Sequence, residues 1–430
     1  MNLTALQEEA LKYMKTGNNV FLTGQAGTGK TYLLKIFIDW FNTNNDEKEL
    51  VITSTTGLSA LLINGMTINR FAGIGLADKD LEYYYKKILK NTNIKKRWNK
   101  TQILIIDEIS MMNPDTFDLL NNLAKKIRGN DSEPFGGIQL ILSGDFCQLP
   151  PVKCNDFCFE SFSWDECVSK TFYFNTILRQ NDSTFQKLLN NIRVGKCDEE
   201  DKLILLECME KYKNKKFGNV YGIIPTMLFP TKNIVNEYNK RELDSLLEKG
   251  VLSKAYNAKY VYDAKVKEEY KDLLKDLINN SYFVEDQLTF TIGCQVMLTI
   301  NLPNNNLANG SRGIIVDFDT ETNNPIVRFL NGKELEIKMH TWNLDENDNS
   351  IMKTQVPLIH AWAITIHKSQ GMTLDYVVTD IGDNIFEYGQ IYVVLSRVKS
   401  LDGLFLKNIN FDKIKTHPKI LKFYSKNLLF

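Results

Sequence analysis

A glycine-rich stretch near the start of the chain contains the residue types that bind phosphate groups. It reads Gly24-Gln25-Ala26-Gly27-Thr28-Gly29-Lys30-Thr31 and matches the pattern G-x-x-x-x-G-K-[ST] at every fixed position. Glycines let the backbone turn so that its N–H groups face the phosphates, Lys30 adds a positive charge at the β- and γ-phosphates, and the Thr31 hydroxyl is a ligand for Mg²⁺. We therefore predict a site for ATP and Mg²⁺, with Gly24, Gly27, Thr28 and Gly29 in the loop.

Two carboxylates and a glutamine are predicted to complete this chemistry. Asp107 and Glu108 follow the apolar run at 103–106. After a phosphate-binding loop, such a pair is typical of an ATPase in which Asp107 holds Mg²⁺ and Glu108 activates or orients the attacking water. Gln148 follows another buried strand, so we place it at the same carboxyl edge of the sheet as a sensor of the γ-phosphate. The alternative is that Gln148 is a loop residue bonded to backbone.

Gln7 has two interpretations. It lies three residues after Thr4, at the start of a predicted helix over residues 3–15, and this spacing favours a capping box. The other interpretation is a glutamine that binds the adenine base just upstream of the phosphate loop.

The elements that position these motifs alternate between strands and helices, which indicates parallel sheets covered by helices. Strands are predicted at 20–22, 50–53, 102–106 and 138–142, and a helix follows the phosphate loop. A second series of strands is predicted at 172–174, 225–229, 295–300, 358–364 and 376–379. We therefore predict two α/β domains, residues 1–170 and 171–430. Short β segments separated by turns predict a small β-barrel insertion at about 301–355.

Composition narrows the class of protein. The 430 residues contain 52 basic and 52 acidic side chains, so a nucleic-acid partner requires a local basic surface. The seven cysteines are scattered and odd in number, which indicates free thiols and a reducing compartment. No long apolar span is apparent, and we expect a soluble, intracellular protein without a membrane partner.

Motifs along nearly the whole chain resemble those of the Pif-type (petite integration frequency) group of RecD-like superfamily 1 DNA helicases. The segment 115–128 followed by 134–139 resembles the signature of that group. The other matching segments are 24–31, 53–60, 65–67, 71–75, 106–110, 178–180, 229–232, 309–313, 366–374 and 392–398.

The resemblance implies a fold and a nucleotide site. The fold is two RecA-like parallel-sheet domains, with a small insertion at about 76–100 in the first and an SH3-like β-barrel in the second. Arg179 and Arg397 are expected to come from the second domain and to act as arginine fingers on the γ-phosphate. Gln370 and Gly371 are expected where that domain meets the nucleotide.

The resemblance also implies a track for single-stranded DNA. Its predicted phosphate contacts and stacking residues are Thr55, Thr56, Thr67, Arg70, Phe71, His367 and Lys368. Phe71 has the alternative of being a core aromatic residue. Relatives usually have a His-Ser pair where this chain has Asn69-Arg70, which puts one base or sugar contact in doubt, although Arg70 could contact phosphate instead. A run of lysines from 86 to 100 lies in the small insertion, with a solvated helix face as the alternative to a DNA contact.

These observations predict ATP-driven movement along single-stranded DNA with unwinding of forked duplex DNA, 5′ to 3′ by resemblance, by a monomer. Two alternatives stay open. One is a translocase that remodels protein–DNA or RNA complexes without separating strands. The other is a binding module gated by nucleotide, against which the presence of Glu108, Arg179 and Arg397 together argues.

Overall fold

The structure, a computed structural model, describes residues 3–45, 49–152, 154–180, 182–214, 222–282, 284–305, 307, 309–346 and 349–427. The chain forms two compact units. The first contains Met1–Lys196, Glu387–Ser396 and Ile414–Phe430, and the second contains Cys197–Phe386 and Arg397–Lys413.

The α-helices, in chain order, are α1 Ala5–Lys15, α2 Lys30–Asn44, α3 Gly57–Leu62, α4 Ile68–Ala72, α5 Leu81–Lys90, α6 Thr92–Lys100, α7 Pro114–Arg128, α8 Trp164–Cys167, α9 Ser183–Arg193, α10 Glu199–Lys213, α11 Lys232–Leu247, α12 Glu268–Tyr282, α13 Ile366–Ser369, α14 Gln390–Leu395 and α15 Pro418–Asn427. None of these described helices combines the length and apolar character that a membrane-crossing segment requires.

The strands are β1 Val20–Gly24, β2 Glu49–Ser54, β3 Met66–Thr67, β4 Thr101–Asp107, β5 Gln139–Gly144, β6 Lys170–Phe174, β7 Thr226–Phe229, β8 Ser253–Asn257, β9 Lys259–Tyr262, β10 Gln287–Thr291, β11 Gln295–Leu298, β12 Arg312–Phe318, β13 Pro325–Phe329, β14 Glu334–Glu336, β15 His340–Glu346, β16 Asn349–Gln355, β17 Leu358–His360, β18 Ala363–Thr365, β19 Val377–Ile381 and β20 Leu404–Ile409.

The first unit is built on a parallel sheet in the order β3-β2-β4-β5-β1-β6. Every residue of β1 is buried, as expected for a central strand covered by helices on both faces. The carboxyl ends of β1, β4 and β5 therefore meet at one edge, and each of these strands leads into a predicted site motif.

The division between the units differs from the predicted boundary after residue 170. Strand β6 was assigned to the second domain, but it pairs in parallel with β1 and completes the first sheet. The first unit also includes α14 and α15, which follow the second unit in sequence. The local apolar pattern of β6 is that of any buried strand, so it could not indicate which sheet the strand would join.

Helix α7, which carries the family-like signature, has clear sequence signals at both ends. The Asn113 side chain accepts a hydrogen bond from the backbone N–H of Thr116, and Pro114 occupies the first turn. The helix ends at Gly129, whose φ of 65° is the left-handed conformation that glycine adopts without a Cβ clash. Its apolar face buries Phe117, Leu120, Leu123 and Ala124.

The second unit contains a parallel sheet in the order β18-β7-β19-β20. Antiparallel strands lie between β7 and β18 in sequence. They form a sheet in the order β14-β13-β12-β11-β17, a sheet in the order β15-β16-β9 and the pair β10-β8. The sequence predicts the β-rich insertion at 301–355. In the structure the antiparallel strands extend from β8 to β17, and helix α12 lies among them in sequence. That these strands form an SH3-like barrel stays a prediction.

The small insertion of the first unit is helical. Helices α5 and α6 fall within the predicted range 76–100, and each buries one large aromatic side chain, Tyr84 and Trp98 respectively. The lysines of this insertion lie mainly on the exposed faces of the two helices.

Candidate nucleotide-binding site

The phosphate loop lies between β1 and α2, as the sequence predicts. Three of its glycines have positive φ values: 135° at Gly24, 83° at Gly27 and 83° at Gly29. A Cβ atom at Gly24 would lie 2.1 Å from the carbonyl oxygen of Phe174, and one at Gly27 would lie 2.7 Å from the Cβ of Arg179. Only glycine satisfies both the backbone conformation and the close packing at these positions.

Gln7 forms the capping box and also contacts the phosphate loop. Its Oε1 accepts a hydrogen bond from the backbone N–H of Thr4 at 2.9 Å, and its own N–H donates to the Thr4 hydroxyl at 3.3 Å. The Gln7 Nε2 group donates to the carbonyl oxygen of Thr28 at 3.0 Å. The capping interpretation is therefore confirmed, and the same side chain joins α1 to the loop. Contact with adenine stays a prediction.

Lys30 lies among carboxylates of the first unit. Its Nζ group donates to the carbonyl oxygens of Gly24 at 2.7 Å and Gln25 at 2.9 Å. Burial lowers the pKa of Lys30, while the carboxylates of Asp145, Glu108 and Asp107 act in the opposite direction. This places the ammonium group at the edge of the sheet where the two predicted catalytic carboxylates also lie.

Asp107 and Glu108 occupy the end of β4 and the residue after it. Burial raises the pKa of Asp107, against the opposing effects of the Glu108 backbone N–H and the Lys30 charge. Glu108 has φ 54° and ψ 42°, a left-handed conformation that is uncommon for a side chain of this type. The Thr55 hydroxyl donates to the carbonyl oxygen of Glu108 at 2.8 Å. Backbone strain of this kind occurs frequently at functional sites.

Gln148 lies at the predicted sheet edge. Its backbone N–H donates to the carbonyl oxygen of Asp145 at 2.9 Å, and its side chain is 5% exposed. Its Oε1 atom is buried without a hydrogen-bond partner among the described residues. Contact of Gln148 with the γ-phosphate stays a prediction.

A charged cluster that sequence reasoning missed lies beside the loop. Asp145 and Arg193 form a two-pronged ion pair with distances of 3.0 and 2.8 Å, and both side chains are buried. Burial alone would raise the pKa of Asp145, but the Arg193 guanidinium holds it below the ordinary value. The Tyr424 hydroxyl lies 2.8 Å from the Thr23 hydroxyl and donates to Asp145 at 3.2 Å. No local spacing signals this cluster, because its members come from distant parts of the chain.

Arg179 belongs to the first unit, which corrects its predicted place in the second domain. The backbone N–H of Leu178 donates to the carbonyl oxygen of Gly27 at 2.8 Å, so the Arg179 segment packs directly on the phosphate loop. Arg179 Nη1 donates to the carbonyl oxygen of Ser396 at 3.0 Å, and burial lowers the pKa of the guanidinium.

Three predicted nucleotide contacts belong to the second unit. Arg397 is buried and donates to the carbonyl oxygens of Met372 and Ser369 at 3.3 and 3.4 Å. Gln370 is 2% exposed, and Gly371 follows it with a φ of 77°. Their roles at the nucleotide stay predictions.

The predicted DNA-contact threonines lie at or just after the carboxyl ends of β2 and β3 in the first sheet. Thr55 bonds to Glu108, and the Thr56 hydroxyl lies 2.7 Å from the Ser59 hydroxyl. Thr67 caps α4 by accepting a hydrogen bond from the backbone N–H of Arg70 at 3.3 Å. Thr55, Thr56, Thr67 and Arg70 are all partly exposed.

Phe71 is a core residue and not the exposed stacking platform that was predicted. Its side chain is fully buried and its ring centroid lies 4.8 Å from that of Trp98 in α6. The Arg97 guanidinium covers the ring at 5.7 Å and donates through Nε to the Phe71 carbonyl oxygen at 2.9 Å. The packing of α6 on α4 therefore removes this ring from the surface.

His367 and Lys368 lie in the short helix α13, which Thr365 caps. Burial lowers the pKa of both side chains, and the charge of Lys232 lowers that of Lys368 further. Both are partly exposed in the second unit.

Comparison with known proteins identifies the family. A family model described as PIF1-like helicase matches residues 2–203. The ATP-dependent DNA helicase PIF1 of Xenopus laevis is 37% identical over 99% of this chain. A crystal structure of Pif1 helicase from Candida albicans is 34% identical, covers 99% of both chains and has a TM-score of 0.84. This chain belongs to the PIF1-like helicase family.

The similarity to Pif1 proteins covers nearly all of this chain but not all of the longer relatives. The chain spans 64% of the length of the Xenopus protein. A crystal structure of Pif1 helicase from Bacteroides in complex with ADP-AlF3 and single-stranded DNA is 28% identical, with a TM-score of 0.68 and coverage of 99% of this chain and 97% of that one. The α/β architecture with parallel sheets is thus confirmed as that of Pif1 helicases.

Proposed function

We propose that this protein uses ATP hydrolysis to move along single-stranded DNA in the 5′ to 3′ direction and to unwind forked duplex DNA. The observation that carries the proposal is the convergence of Lys30, Asp107 and Glu108 at one edge of the first sheet, where their charges influence one another. A phosphate-binding cation and a candidate base in one place form a hydrolytic site. Membership in the PIF1-like family supports DNA as the substrate on which the site acts.

The residues fit a nucleotide with a hard cation. Thr31 is an exposed residue at the start of α2, and the buried carboxylate of Asp107 has a raised pKa that a nearby cation would lower. These two side chains would hold Mg²⁺, which supplies charge neutralisation at the phosphate oxygens. Lys30 would exchange its bonds to the loop carbonyls for the β- and γ-phosphates, and the ion pair of Asp145 with Arg193 would keep this edge of the sheet rigid.

Glu108 is proposed as the group that orients and deprotonates the attacking water, and Gln148 as the residue that contacts the γ-phosphate. Arg179 and Arg397 are proposed to neutralise the charge that develops on the transferred phosphoryl group. Gln370 and Gly371 are proposed to respond to the nucleotide state from the second unit.

The DNA track is proposed to include Thr55, Thr56, Thr67 and Arg70 in the first unit, and His367 and Lys368 in the second. Hydroxyl and cationic groups bind phosphate oxygens without reading the bases, which suits movement along a mixed sequence. The Bacteroides Pif1 complex with single-stranded DNA supports a single strand as the ligand.

The decisive experiment is strand separation on two duplexes that differ only in the polarity of a single-stranded tail. We expect ATP-dependent unwinding of the 5′-tailed duplex and little unwinding of the 3′-tailed one. Lys30→Ala, which removes the phosphate-binding charge, is the matched inactive control. ATP turnover without strand separation on either DNA, or displacement of a bound protein alone, would instead identify a remodelling translocase.

A further inference from the structure

Tyr392 contacts the phosphate loop through its hydroxyl group. It lies in α14, which belongs to the first unit although most of the second unit precedes it in sequence. The Tyr392 hydroxyl oxygen accepts a hydrogen bond from the backbone N–H of Ala26 at 2.8 Å, and the side chain is 3% exposed. We propose that Tyr392 is a positioning residue of the nucleotide site, whose hydroxyl fixes the first half of the phosphate loop in the shape that accepts ATP. This inference rests on the proposed function.

The loop needs such contacts because its glycines give it many alternative conformations. Ordering a backbone of this type costs conformational entropy, so hydrogen bonds from other residues must hold the shape. The second half of the loop is held by Leu178, which donates to the carbonyl oxygen of Gly27, and by Gln7, which donates to that of Thr28. The first half is held at Gly24 and Gln25 by Lys30, and at Ala26 by Tyr392.

The contacts made by Lys30 involve the same ammonium group that ATP attracts. Two of its three donors bind the carbonyl oxygens of Gly24 and Gln25, so the phosphates compete with these carbonyls for Lys30 when the nucleotide arrives. Two hydrogen bonds in this half of the loop do not depend on Lys30: the Ala26 N–H donates to the Tyr392 hydroxyl at 2.8 Å, and the Thr28 hydroxyl donates to the Gln25 carbonyl oxygen at 2.9 Å. The Tyr392 hydroxyl needs no charge for this task, and burial raises the pKa of Tyr392, which keeps the group neutral.

Helix α14 is itself held near the loop at its far end. The carbonyl oxygen of Ser396, the residue after α14, accepts a hydrogen bond from Arg179 at 3.0 Å. Arg179 in turn packs its Cβ against Gly27. The loop therefore contacts the α14 segment directly through Tyr392 and indirectly through Arg179, which fixes the position of the Tyr392 ring.

The test is Tyr392→Phe, which removes the hydroxyl and leaves the ring. The Ala26 N–H then lacks its partner, and we expect the KM for ATP to rise roughly tenfold. The kcat at saturating ATP should stay within about twofold, because the lost interaction supports ground state and transition state alike. The matched control is Tyr256→Phe, which removes a hydroxyl that donates to the Asn323 carbonyl oxygen at 2.6 Å within the second unit. Its KM for ATP should match that of the wild type.

An unchanged KM in Tyr392→Phe, with an active wild-type protein, overturns the inference and leaves the proposed function intact. A wild-type protein without ATPase activity overturns the proposed function instead. Hydrogen exchange of the wild-type protein provides a measurement that requires neither activity nor a folded variant. The Ala26 amide should exchange slowly without nucleotide, and exchange at the rate of an exposed loop amide would contradict the contact with Tyr392.

Discussion

The hydroxyl group of Thr55 donates a hydrogen bond of 2.8 Å to the carbonyl oxygen of Glu108. Thr55 is a proposed DNA contact and Glu108 is the proposed catalytic base, so this bond joins the two activities within the first unit. The bonded peptide is the one that follows the left-handed conformation at Glu108. A shift of Thr55 toward a DNA phosphate would therefore move the backbone of the base.

We expect Thr55→Val to reduce the stimulation of ATPase activity by single-stranded DNA. The valine keeps the shape of the side chain but cannot donate to Glu108, and the loss of one hydrogen bond predicts a fall in DNA-stimulated kcat of about two- to tenfold. Steady-state ATPase assays with and without DNA measure the effect. Thr56→Val is the matched control, because it also removes a proposed DNA-contact hydroxyl, but one that lies against Ser59 and not against Glu108. Equal effects of the two substitutions would argue against a special role of the Thr55–Glu108 bond.

Glu108→Gln should separate binding from hydrolysis. The amide has nearly the same shape as the carboxylate but cannot accept a proton from water, so kcat should fall by about 10²- to 10⁴-fold. Binding of a fluorescent ATP analogue should stay within a few-fold of the wild type. The exposed Glu49 makes a suitable control, since Glu49→Gln alters only a surface ion pair with Lys100. Rapid turnover by Glu108→Gln would exclude Glu108 as the base.

Phe71→Ala should destabilise the protein by about 3–5 kcal/mol, because it opens a cavity against Trp98 in a fully packed region. Urea unfolding measures this change, and Tyr83→Ala, at a side chain that is 52% exposed, should have a much smaller effect. Phe71→Leu keeps most of the core volume and should bind single-stranded DNA as the wild type does. A large loss of DNA affinity in a stable Phe71→Leu protein would restore the stacking role.

Arg193→Ala should lower the free energy of unfolding more than the loss of an exposed ion pair does. It leaves the buried carboxylate of Asp145 without its guanidinium partner, and we expect a loss of about 3–5 kcal/mol in the free energy of unfolding. Lys100→Ala, which breaks the exposed pair with Glu49, should cost at most about 1 kcal/mol. Similar losses in the two variants would mean that the Asp145–Arg193 pair contributes little.

The same pair predicts a pH dependence. Because the Asp145 pKa is lower in the folded protein than its ordinary value, its stabilising contribution is fully present above about pH 4. It is lost as the pH falls below that value toward the folded pKa. The difference in unfolding free energy between the wild type and Asp145→Asn should therefore be constant above about pH 5 and shrink as the pH falls below about pH 4. A difference that stays constant below about pH 4 would contradict the lowered pKa.

The sequence predicts those parts of the site that are positioned by residues close to them in sequence. The phosphate loop, Asp107, Glu108 and Gln148 each follow a recognisable strand, so parallel order brings them to one edge. Tyr424 and Thr23 are 401 positions apart, and no local pattern indicates that their hydroxyl groups meet. Phe71 shows the same difficulty, because an aromatic residue looks identical in sequence whether or not a later helix covers it.

The run at 358–364 shows that an apolar pattern does not predict the pairing partners of a strand. It was predicted as one strand, but β17 pairs antiparallel with β11 and β18 pairs parallel with β7. Between them the Ala361 N–H donates to the carbonyl oxygen of Gln295, and its own carbonyl accepts from the Gln295 side chain. An apolar run indicates that a segment is buried, but it does not indicate with which neighbouring strand the backbone pairs.

The chain leaves the first unit after residue 196 and returns to it at 387–396 and 414–430. Protein synthesis proceeds in one direction, so the ribosome delivers Ala26 of the phosphate loop 366 residues before its partner Tyr392. During translation the phosphate loop thus waits for residues 197–386 of the second unit before Tyr392 can contact Ala26. The contact between Tyr392 and the loop therefore forms only after most of the second unit has been synthesised.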